Sequence, residues 1–474
     1  MTKTYLFYDI ESTGLSQCFD QVLQFAAIRT DLEFNEIERE EIFVKLNPDV
    51  IPSPYAFLTH QITIADALKG ISEVEAMKKI HAMMNQPDTI SLGYNTLGFD
   101  DEFLRFSFYR NLLTPYTHQY ANQCSRMDIF PIIILYFLYK KSAIDWPEKE
   151  GKISLKLDDI NQKNQFVSGQ AHNALVDVEA TVALAKALST EKAMWDYVCG
   201  YFNKQTEMQR LMKLPHTIDG HREGLMVLSK LGASQSFQAP VICLGTHRIY
   251  KNQTIWLRLD LPELRECKRS SPDKNTWAMN KKWGEPGFVL PLQEKYLTHM
   301  SHKRLEEAEK NKKWLKQHPG IFKAICDHYL HHQYPLIPDT DVDSALYVSD
   351  FWDNYDIGNC RDFHEASVND KAKQISEFRN PHLKAMAVRI LGRHFPTNMT
   401  PEEREEFQHY LERVFSKHPP VDYKGGHKYS LQNCLDDIAN LKNEDLPAHK
   451  KELLNEFERY ISSLNRHQQE KVRT

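Results

Sequence analysis

Residues 4–14 form the stretch that decides the fold, TYLFYDIESTG. Its apolar and aromatic residues predict a buried β-strand, but two carboxylates, Asp9 and Glu11, interrupt it two positions apart. Because side chains two residues apart on a strand point to the same face, both carboxylates should meet near the strand's end. Their like charges favour a bound divalent cation, and oxygen-only ligands favour Mg²⁺ or Mn²⁺ over zinc. Taken alone, the pair also fits a solvated strand end with two incidental acids.

The composition bounds the class of protein. With 474 residues the chain exceeds what one hydrophobic core usually serves, so two or three domains are expected. A hydrophobic fraction of 41% and a charged fraction of 26% are typical of an ordinary globular protein. The net charge of −5 argues against coating nucleic acid by net charge, although local basic grooves remain compatible with it. The eight cysteines include no C-x-x-C pair, so neither a zinc knuckle nor a disulfide framework is indicated.

The sequence also bears on location. The start, MTKTYLFYDIE, lacks the pattern of a secretory signal. The most apolar run, IFPIIILYFLY from Ile129, is shorter than the ~20 residues that a bilayer requires, and a buried helix or strand explains it better. We therefore expect no membrane association and a cytoplasmic location.

Hydrophobic patterning divides the chain into three regions. Over residues 5–188, short β-rich runs such as YLFYDIE, VLQFAAIRT and IFVKLN are followed by alternating helical and β-rich runs, which predicts an α/β domain whose first three strands are antiparallel. After Pro215, β-rich runs surround a polar turn, and a lysine-rich loop at 268–282 precedes the run GFVLPL. A small β-rich domain is expected there, ended by the charged helix HKRLEEAEKNKKWLKQH. From about Leu346 the pattern is helical.

Two later motifs supply further carboxylates. In SLGYNTLGFDDEFLRF a predicted strand ends near Asn95 and a helix begins soon after, which places Asp100 or Asp101 at a helix start. Either acid would also suit the helix dipole without any further role. In GQAHNALVDVEATVALAKAL, Asp177 lies on the first turns of a predicted helix. His172 precedes it by five residues, about 140° away around a helix, so it belongs to the preceding loop, where a lone histidine is usually a cap or a surface residue.

The ordered set is D-x-E in a first strand, N-x-x-x-F-D, then H-x-x-x-x-D at a helix start. In this order the motifs resemble the DEDD superfamily of 3′ to 5′ exonucleases, which share a ribonuclease-H-like fold, and the histidine places the chain in the histidine subgroup. The resemblance implies two bound metal ions, Mg²⁺ with Mn²⁺ as a substitute, held by Asp9, Glu11, Asp100 and Asp177. It further implies that His172 is the general base and that Glu11 also takes part in catalysis and substrate binding. Asp101 and Glu102 remain as expected non-ligands.

The implied chemistry is physically coherent. Four carboxylates offset the charge of two divalent ions, which at ~3.5 to 4 Å separation activate a water and stabilise the leaving 3′ oxygen. A neutral imidazole takes the proton from that water. The implied product is a nucleoside 5′-monophosphate.

Length and domain order narrow the resemblance to one family within the superfamily. An exonuclease domain followed by a small β-rich domain and a helical domain resembles the bacterial exonuclease I family, whose members degrade single-stranded DNA. The stretches QFAAIRTDLEFN, LGYNTLGFDDE, FYRN, SRMDI and AHNALVDVEAT carry this likeness. The expected domains are a DEDDh exonuclease domain at 1–198, an SH3-like β-rich domain at 199–350 and a helical domain at 351–474.

The family likeness implies a groove for single-stranded DNA, with basic groups for phosphates and aromatic faces for bases. Candidate contacts in the first domain are Arg105, Tyr109, Arg110, Tyr116, Tyr120 and Arg126, each of which fits a core or ordinary surface position as well. Candidates in the second domain are Lys204, Lys251 and Asn252. Lys156 stands where family members tend to have arginine, so it keeps the charge but loses the bidentate contact with phosphate.

The resemblance also implies a protein partner, the acidic C-terminal tail of single-stranded-DNA-binding protein. A basic rim beside an apolar pocket is required, and the charged helix offers Arg304, Lys310, Lys312, Lys313 and Trp314. The same residues also describe an ordinary solvated helix. We expect a monomer that acts in DNA repair and recombination.

Two alternatives remain open. An RNA 3′-trimming enzyme would use the same carboxylates, since only the 2′-hydroxyl separates the two substrates. A single-stranded-DNA-binding scaffold without catalysis belongs to another class, and the intact set of acids argues against it.

Overall fold

The computed structural model describes residues 3–168 and 173–473, with side chains described up to residue 466. Its N-terminal part is an α/β domain. The strands are β1 (Thr4–Ser12), β2 (Val22–Thr30), β3 (Glu36–Phe43), β4 (Thr89–Leu92), β5 (Ser125–Arg126), β6 (Glu148–Lys149) and β7 (Lys152–Ile153). The helices are α1 (Pro54–His60), α2 (Ile64–Ala67), α3 (Glu73–Met84), α4 (Asp100–Arg110), α5 (Ile129–Tyr139), α6 (Leu157–Asn164), α7 (Ala174–Ser189) and α8 (Lys192–Cys199).

Strand β1 is the centre of a mixed sheet with the order β3-β2-β1-β4-β5. It pairs antiparallel with β2 and parallel with β4, and β2 pairs antiparallel with β3. The predicted antiparallel arrangement of the first three strands is therefore confirmed. The run IFPIIILYFLY forms helix α5, whose N-cap is Asp128.

The alternation of side chains along β1 assigns its two faces. Leu6 and Tyr8 pack in one buried cluster with Phe103 of α4. Phe7 packs on the opposite face, in a second cluster with Val178 of α7. Because side chains alternate along a strand, the face of Phe7 continues into Asp9 and Glu11. The sequence of β1 thus aims both carboxylates at α7.

The second region is an antiparallel sheet of order β12-β11-β10-β9-β13, with β8 paired to β9. Its strands are β8 (His216–Ile218), β9 (His221–Val227), β10 (Gln238–Thr246), β11 (Gln253–Arg258), β12 (Ala278–Lys282) and β13 (Phe288–Leu290). Helix α9 (Lys204–Met212) precedes it, and α10 (Glu294–Leu297), α11 (His302–Gln317) and α12 (Pro319–Leu330) follow. This arrangement confirms the predicted β-rich region.

The C-terminal region is helical. It consists of α13 (Asn354–Glu365), α14 (Lys371–Ile375), α15 (Pro381–His394), α16 (Pro401–Val414), α17 (Leu431–Lys442) and α18 (Ala448–Arg473). One buried cluster joins it to the first region, since Phe57 and Phe106 pack in the same core as Leu383 and Phe457. The cores therefore continue across the regions, and the predicted domain limits stay a prediction. Within the described residues, no helix combines the length and apolarity needed to cross a membrane.

Two predicted elements differ from the structure in their bounds. The run IFVKLN supplies only the last two residues of the third strand, because β3 ends at Phe43 and consists mostly of the charged residues before it. The predicted loop at 268–282 contains strand β12. Both are outer strands of their sheets, and polar side chains on the exposed face of such strands hide the hydrophobic run that marks a buried strand.

A buried ion cluster ties the N-terminal and C-terminal regions together. The guanidinium of Arg393 donates to Asp49 at 2.8 Å and to Asp343 at 2.5 Å. The hydroxyl of Tyr410 donates to the same oxygen of Asp49 at 2.8 Å. Burial opposes ionisation of Asp49, but Arg393 and Lys428 outweigh it and hold the pKa of Asp49 well below its usual range.

Replacement of Arg393 by alanine should therefore destabilise the protein. It leaves the buried Asp49 and Asp343 with Lys428 at 3.9 Å and Arg389 at 3.1 Å as their remaining cations, and loss of one partner from a buried pair costs about 3 to 5 kcal/mol. The midpoint of urea unfolding, measured by tryptophan fluorescence, should fall clearly. The exposed Arg404→Ala on α16 is the control, and equal midpoints for the two variants would contradict this account.

Candidate active site

The end of β1 and the start of α7 bring three carboxylates together. Ligand oxygens of Asp9, Glu11 and Asp177 all lie within 4.8 Å of one another, and each side chain is partly buried. Asp177 belongs to the first turn of α7, whose N-cap Asn173 accepts hydrogen bonds from the backbone N–H groups of Leu175 and Val176. The cap fixes where the helix begins and so where Asp177 stands.

Asp100 approaches the same strand end from α4. It is the first residue of that helix, and its Oδ1 accepts the backbone N–H of Ile10, which lies between the two β1 carboxylates, at 3.3 Å. The preceding loop is held by Asp128, whose carboxylate accepts the backbone N–H groups of Asn95 at 2.8 Å and Leu97 at 3.1 Å. Sequence reasoning missed Asp128, although the motif SRMDI contains it.

Burial and the crowding of like charges together raise the pKa values of the carboxylates. Burial, then the charges of Asp177 and Asp100, raises the pKa of Glu11 to about 8. Burial, then Asp100, Glu11 and Asp177, raises the pKa of Asp9 well above its usual range. Burial also raises the pKa of Asp100 to about 7, against the lowering effect of its backbone hydrogen bonds. The fold therefore assembles carboxylates that repel one another.

This donor set fits divalent cations of the Mg²⁺ class. The ligands are carboxylate oxygens, which hard cations prefer, and a cation removes the repulsion that raises these pKa values. Asp101 has a structural role instead, because it pairs with Arg105 and Arg126 and accepts a hydrogen bond from His118. Its expected exclusion from the metal ligands agrees with these contacts.

His172 and Lys156 were also predicted to belong to this site. His172 falls in residues 169–172, outside the described residues. Lys156 is exposed at the N-cap of α6. Asp158, two residues further, contributes to the raised pKa of Asp9, so the start of α6 lies close to the carboxylates.

Several predicted DNA contacts are wrong because the side chains are buried in ion pairs or the core. Arg110 pairs with Glu73 at 2.5 Å and is 3% exposed, and Tyr109 is 2% exposed in the core. Arg105 is 5% exposed and pairs with Asp101 at 2.6 Å. These three side chains support the fold.

Arg126 is also engaged within the protein. Its guanidinium contacts Asp101 at 2.5 Å and Glu285 of the second region at 3.1 Å. Only 11% of the side chain is exposed, so its predicted phosphate contact is replaced by two carboxylate contacts.

Other candidates are accessible. Tyr120 is 70% exposed, and Tyr116 is partly buried and makes an edge-type ring contact with Phe351. Lys204, Lys251 and Asn252 are exposed. A cleft of about 470 Å³ lies between the first two regions, lined by Asn95, Ile134, Lys230 and Trp277 among others. Trp277 has an exposed fraction of 39%, and no pattern in the sequence distinguished it from a core residue.

Only some of the basic residues predicted to form a docking rim on the charged helix α11 are exposed for that role. Arg304 pairs with Asp260 and donates to backbone carbonyl groups, and Lys312 pairs with Glu223 at 2.7 Å. Both cations are therefore used inside the second region. Lys310 and Lys313 remain exposed, and Trp314 stacks on His318.

Comparisons with known proteins agree with this arrangement. Residues 6–185 match the family described as Exonuclease, and residues 340–464 match the family described as Exonuclease I C-terminal domain. Exodeoxyribonuclease I of Escherichia coli (strain K12) is 27% identical over 93% of this chain and 95% of its own.

The chain thus combines an exonuclease domain with an exonuclease I C-terminal domain.

A moderately thermophilic exonuclease I from Methylocaldum szegediense has a structure that is 26% identical, with a TM-score of 0.84 over 98% of this chain and 99% of its own. The structure of Escherichia coli exonuclease I in complex with a dA16 oligonucleotide, at 24% identity, has the same fold, with a TM-score of 0.83. The exonuclease I fold confirms the predicted α/β fold class with its exonuclease domain of ribonuclease-H-like type.

Crowding of the carboxylates predicts a pH-dependent stability without metal. The pKa of Glu11 rises from 4.5 to about 8 on folding, so between these values the folded protein keeps a proton that the unfolded chain has lost. The contribution of Glu11 to stability should therefore fall as pH rises from about 5 to 8, by at most about 1.4 kcal/mol per pH unit. Thermal unfolding in EDTA should show a shallower fall for Glu11→Gln.

Exposed Glu33→Gln is the control and should behave like the unaltered protein. Saturating Mg²⁺ should remove most of the loss at the higher pH. Equal pH profiles for Glu11→Gln and the unaltered protein would contradict the assigned repulsion.

Proposed function

We propose that this protein is a metal-dependent 3′ to 5′ exonuclease that degrades single-stranded DNA to 5′-mononucleotides. The observation that carries the proposal is the cluster of Asp9, Glu11 and Asp177, with Asp100 bonded to the strand between the first two. Similarity over nearly the whole chain to relatives named Exodeoxyribonuclease I supports the substrate class. A role in DNA repair and recombination belongs to the same proposal.

The four carboxylates have separate tasks in this mechanism. Asp9 and Asp177 face each other between β1 and α7 and hold metal, and Asp100 closes the cage from α4. Glu11 lies furthest along β1 and also contacts the terminal nucleotide. When bound, two divalent cations supply an activated water and stabilisation of the leaving 3′ oxygen. His172 takes the proton of the attacking water, and Asn173 at the N-cap of α7 fixes the chain directly after it.

Accessible aromatic and basic groups support a single strand as substrate. Tyr120 offers an exposed ring for a base, and Lys156 offers a charge for a phosphate near the carboxylates. Tyr116 is a second stacking candidate. Lys204, Lys251 and Asn252 extend this DNA-binding surface, the DNA track, to the second region. A base paired in a duplex would not offer a free face to these rings.

The proposal includes a protein partner. A solved structure of a relative is described as SSB/Exonuclease I in complex with an inhibitor, CFAM, and we propose that this chain also docks single-stranded-DNA-binding protein. The exposed Lys313 of α11 and Lys310, which contacts Glu307 only at 3.9 Å, can attract an acidic tail, whereas Arg304 and Lys312 are held in closer internal pairs. A monomer in the cytoplasm is the expected working form.

The direct test of function uses matched oligonucleotides with Mg²⁺: single-stranded DNA, blunt duplex DNA and RNA of one sequence. Single-stranded DNA should disappear fastest, with nucleoside 5′-monophosphates as the product. Faster loss of RNA would favour the RNA-trimming alternative. Binding without cleavage would favour the scaffold.

Asp177→Asn should abolish cleavage while single-stranded DNA still binds. Loss of one metal ligand removes transition-state stabilisation, and we expect the turnover rate to fall by about 10³-fold or more. The matched control is Glu179→Gln, two residues further on the same helix, where the side chain pairs with Arg39. Near-normal turnover of Asp177→Asn would show that the ligand assignment is wrong.

Tyr120→Ala should weaken binding of single-stranded DNA. Loss of one stacked base costs about 1 to 3 kcal/mol, or roughly 5- to 150-fold in dissociation constant. Fluorescence anisotropy with Ca²⁺ in place of Mg²⁺ measures binding without cleavage. Tyr55→Ala, which removes another exposed ring of the same region, should bind normally. An unchanged dissociation constant for Tyr120→Ala would exclude it from the track.

A further inference from the structure

A chain of ion pairs crosses from the β-rich region to the residue beside Asp100. Asp101, the second residue of α4, is fully buried. Its carboxylate contacts three side chains: Arg105 at 2.6 Å, Arg126 at 2.5 Å and His118 at 3.0 Å. The second nitrogen of Arg126 contacts Glu285, which lies between β12 and β13, at 3.1 Å.

Glu285 is itself held in place by a buried pair. Lys281 on β12 is 1% exposed and contacts Glu207 of α9 at 2.8 Å. The same ammonium group donates to the backbone carbonyl of Glu285 at 2.7 Å. Glu207 also accepts the backbone N–H of Gly284 at 2.7 Å. The loop that carries Glu285 is therefore fixed to β12 and α9 of the second region.

The charges along the chain alternate. Arg105 and Arg126 both contact Oδ2 of Asp101, and His118 donates to its Oδ1. These contacts hold the Asp101 side chain in one orientation next to Asp100. Glu285 in turn fixes the guanidinium plane of Arg126, because one guanidinium nitrogen contacts each carboxylate.

We propose that Glu285 is a positioning residue for the exonuclease site. By orienting Arg126 it fixes Asp101 and hence the first turn of α4, which sets Asp100 against the end of β1. The β-rich region then contributes to metal binding as well as to the DNA track. This inference rests on the proposed function in one respect, the assignment of Asp100 as a metal ligand.

The test measures Mn²⁺ binding by the full chain without DNA, using isothermal titration calorimetry. Loss of a partner behind a metal ligand typically weakens metal binding 10- to 100-fold, and Glu285→Gln should weaken it by about 10-fold. Glu285→Asp keeps the charge and should lose less. Glu266→Gln, an exposed glutamate of the same region, is the matched control. The turnover rate of Glu285→Gln on single-stranded DNA should fall with little change in KM.

Three results would overturn the inference. One is Mn²⁺ affinity of Glu285→Gln within twofold of the control, even with a lowered unfolding temperature, since Glu285 would then serve stability alone. Another is tighter binding of single-stranded DNA with unchanged Mn²⁺ affinity, since Glu285 would then compete with phosphate for Arg126. If Glu285→Gln does not fold, an unchanged Mn²⁺ affinity of Glu285→Asp has the same meaning.

Absence of Mn²⁺ binding by the unaltered protein would remove both the inference and the proposed metal site. A failure of the proposed function alone has a different signature. The unaltered protein would bind Mn²⁺ and leave single-stranded DNA intact, while the loss of Mn²⁺ affinity in Glu285→Gln would still support the positioning role.

Discussion

Repulsion among carboxylates at the end of β1 is the interaction on which the rest of the structure depends. Ligand oxygens of Asp9, Glu11 and Asp177 lie within 4.8 Å of one another, and burial together with the charges of Asp177 and Asp100 raises the pKa of Glu11 to about 8. Such crowding opposes folding, so packing elsewhere must hold the strand and the helices in place. Alternating residues of β1 do so by packing on both faces, Leu6 and Tyr8 on one and Phe7 on the other. The strained site is thus placed at the edge of a well-packed core.

The surrounding regions act on this site through contacts that are remote in sequence. The C-terminal helices share a core with α1 and α4, and Arg393 reaches across to Asp49. The β-rich region reaches Asp101 through Glu285 and Arg126. These contacts bear on α4 and therefore on Asp100. The two regions that follow the exonuclease domain consequently support the site. They also extend the surface that can hold single-stranded DNA.

Much of the site could be predicted because local periodicity carries the information. A two-residue spacing on a strand places Asp9 and Glu11 together, and a helix start after GQAHN places Asp177 in a first turn. The outer strands β3 and β12 were harder to predict, since their exposed faces are polar. Asp128 was missed because its role depends on the backbone of Asn95 and Leu97, more than 30 positions earlier.

The errors among the predicted arginine contacts with DNA have one physical cause. Arg110 pairs with Glu73, which is 37 positions away in the sequence, and Arg126 pairs with Asp101 and Glu285. A sequence shows that a side chain is basic but not which carboxylate the fold brings beside it. Buried arginines with paired carboxylates therefore cannot be told from free phosphate-binding arginines by residue type alone.

The central claim is that the carboxylates form a cage for divalent metal ions. Anomalous diffraction from crystals soaked with Mn²⁺ tests it most directly. The account predicts two peaks about 3.5 to 4 Å apart, bounded by Asp9, Glu11, Asp100 and Asp177. Absence of a peak between β1, α4 and α7 at saturating Mn²⁺ would contradict it.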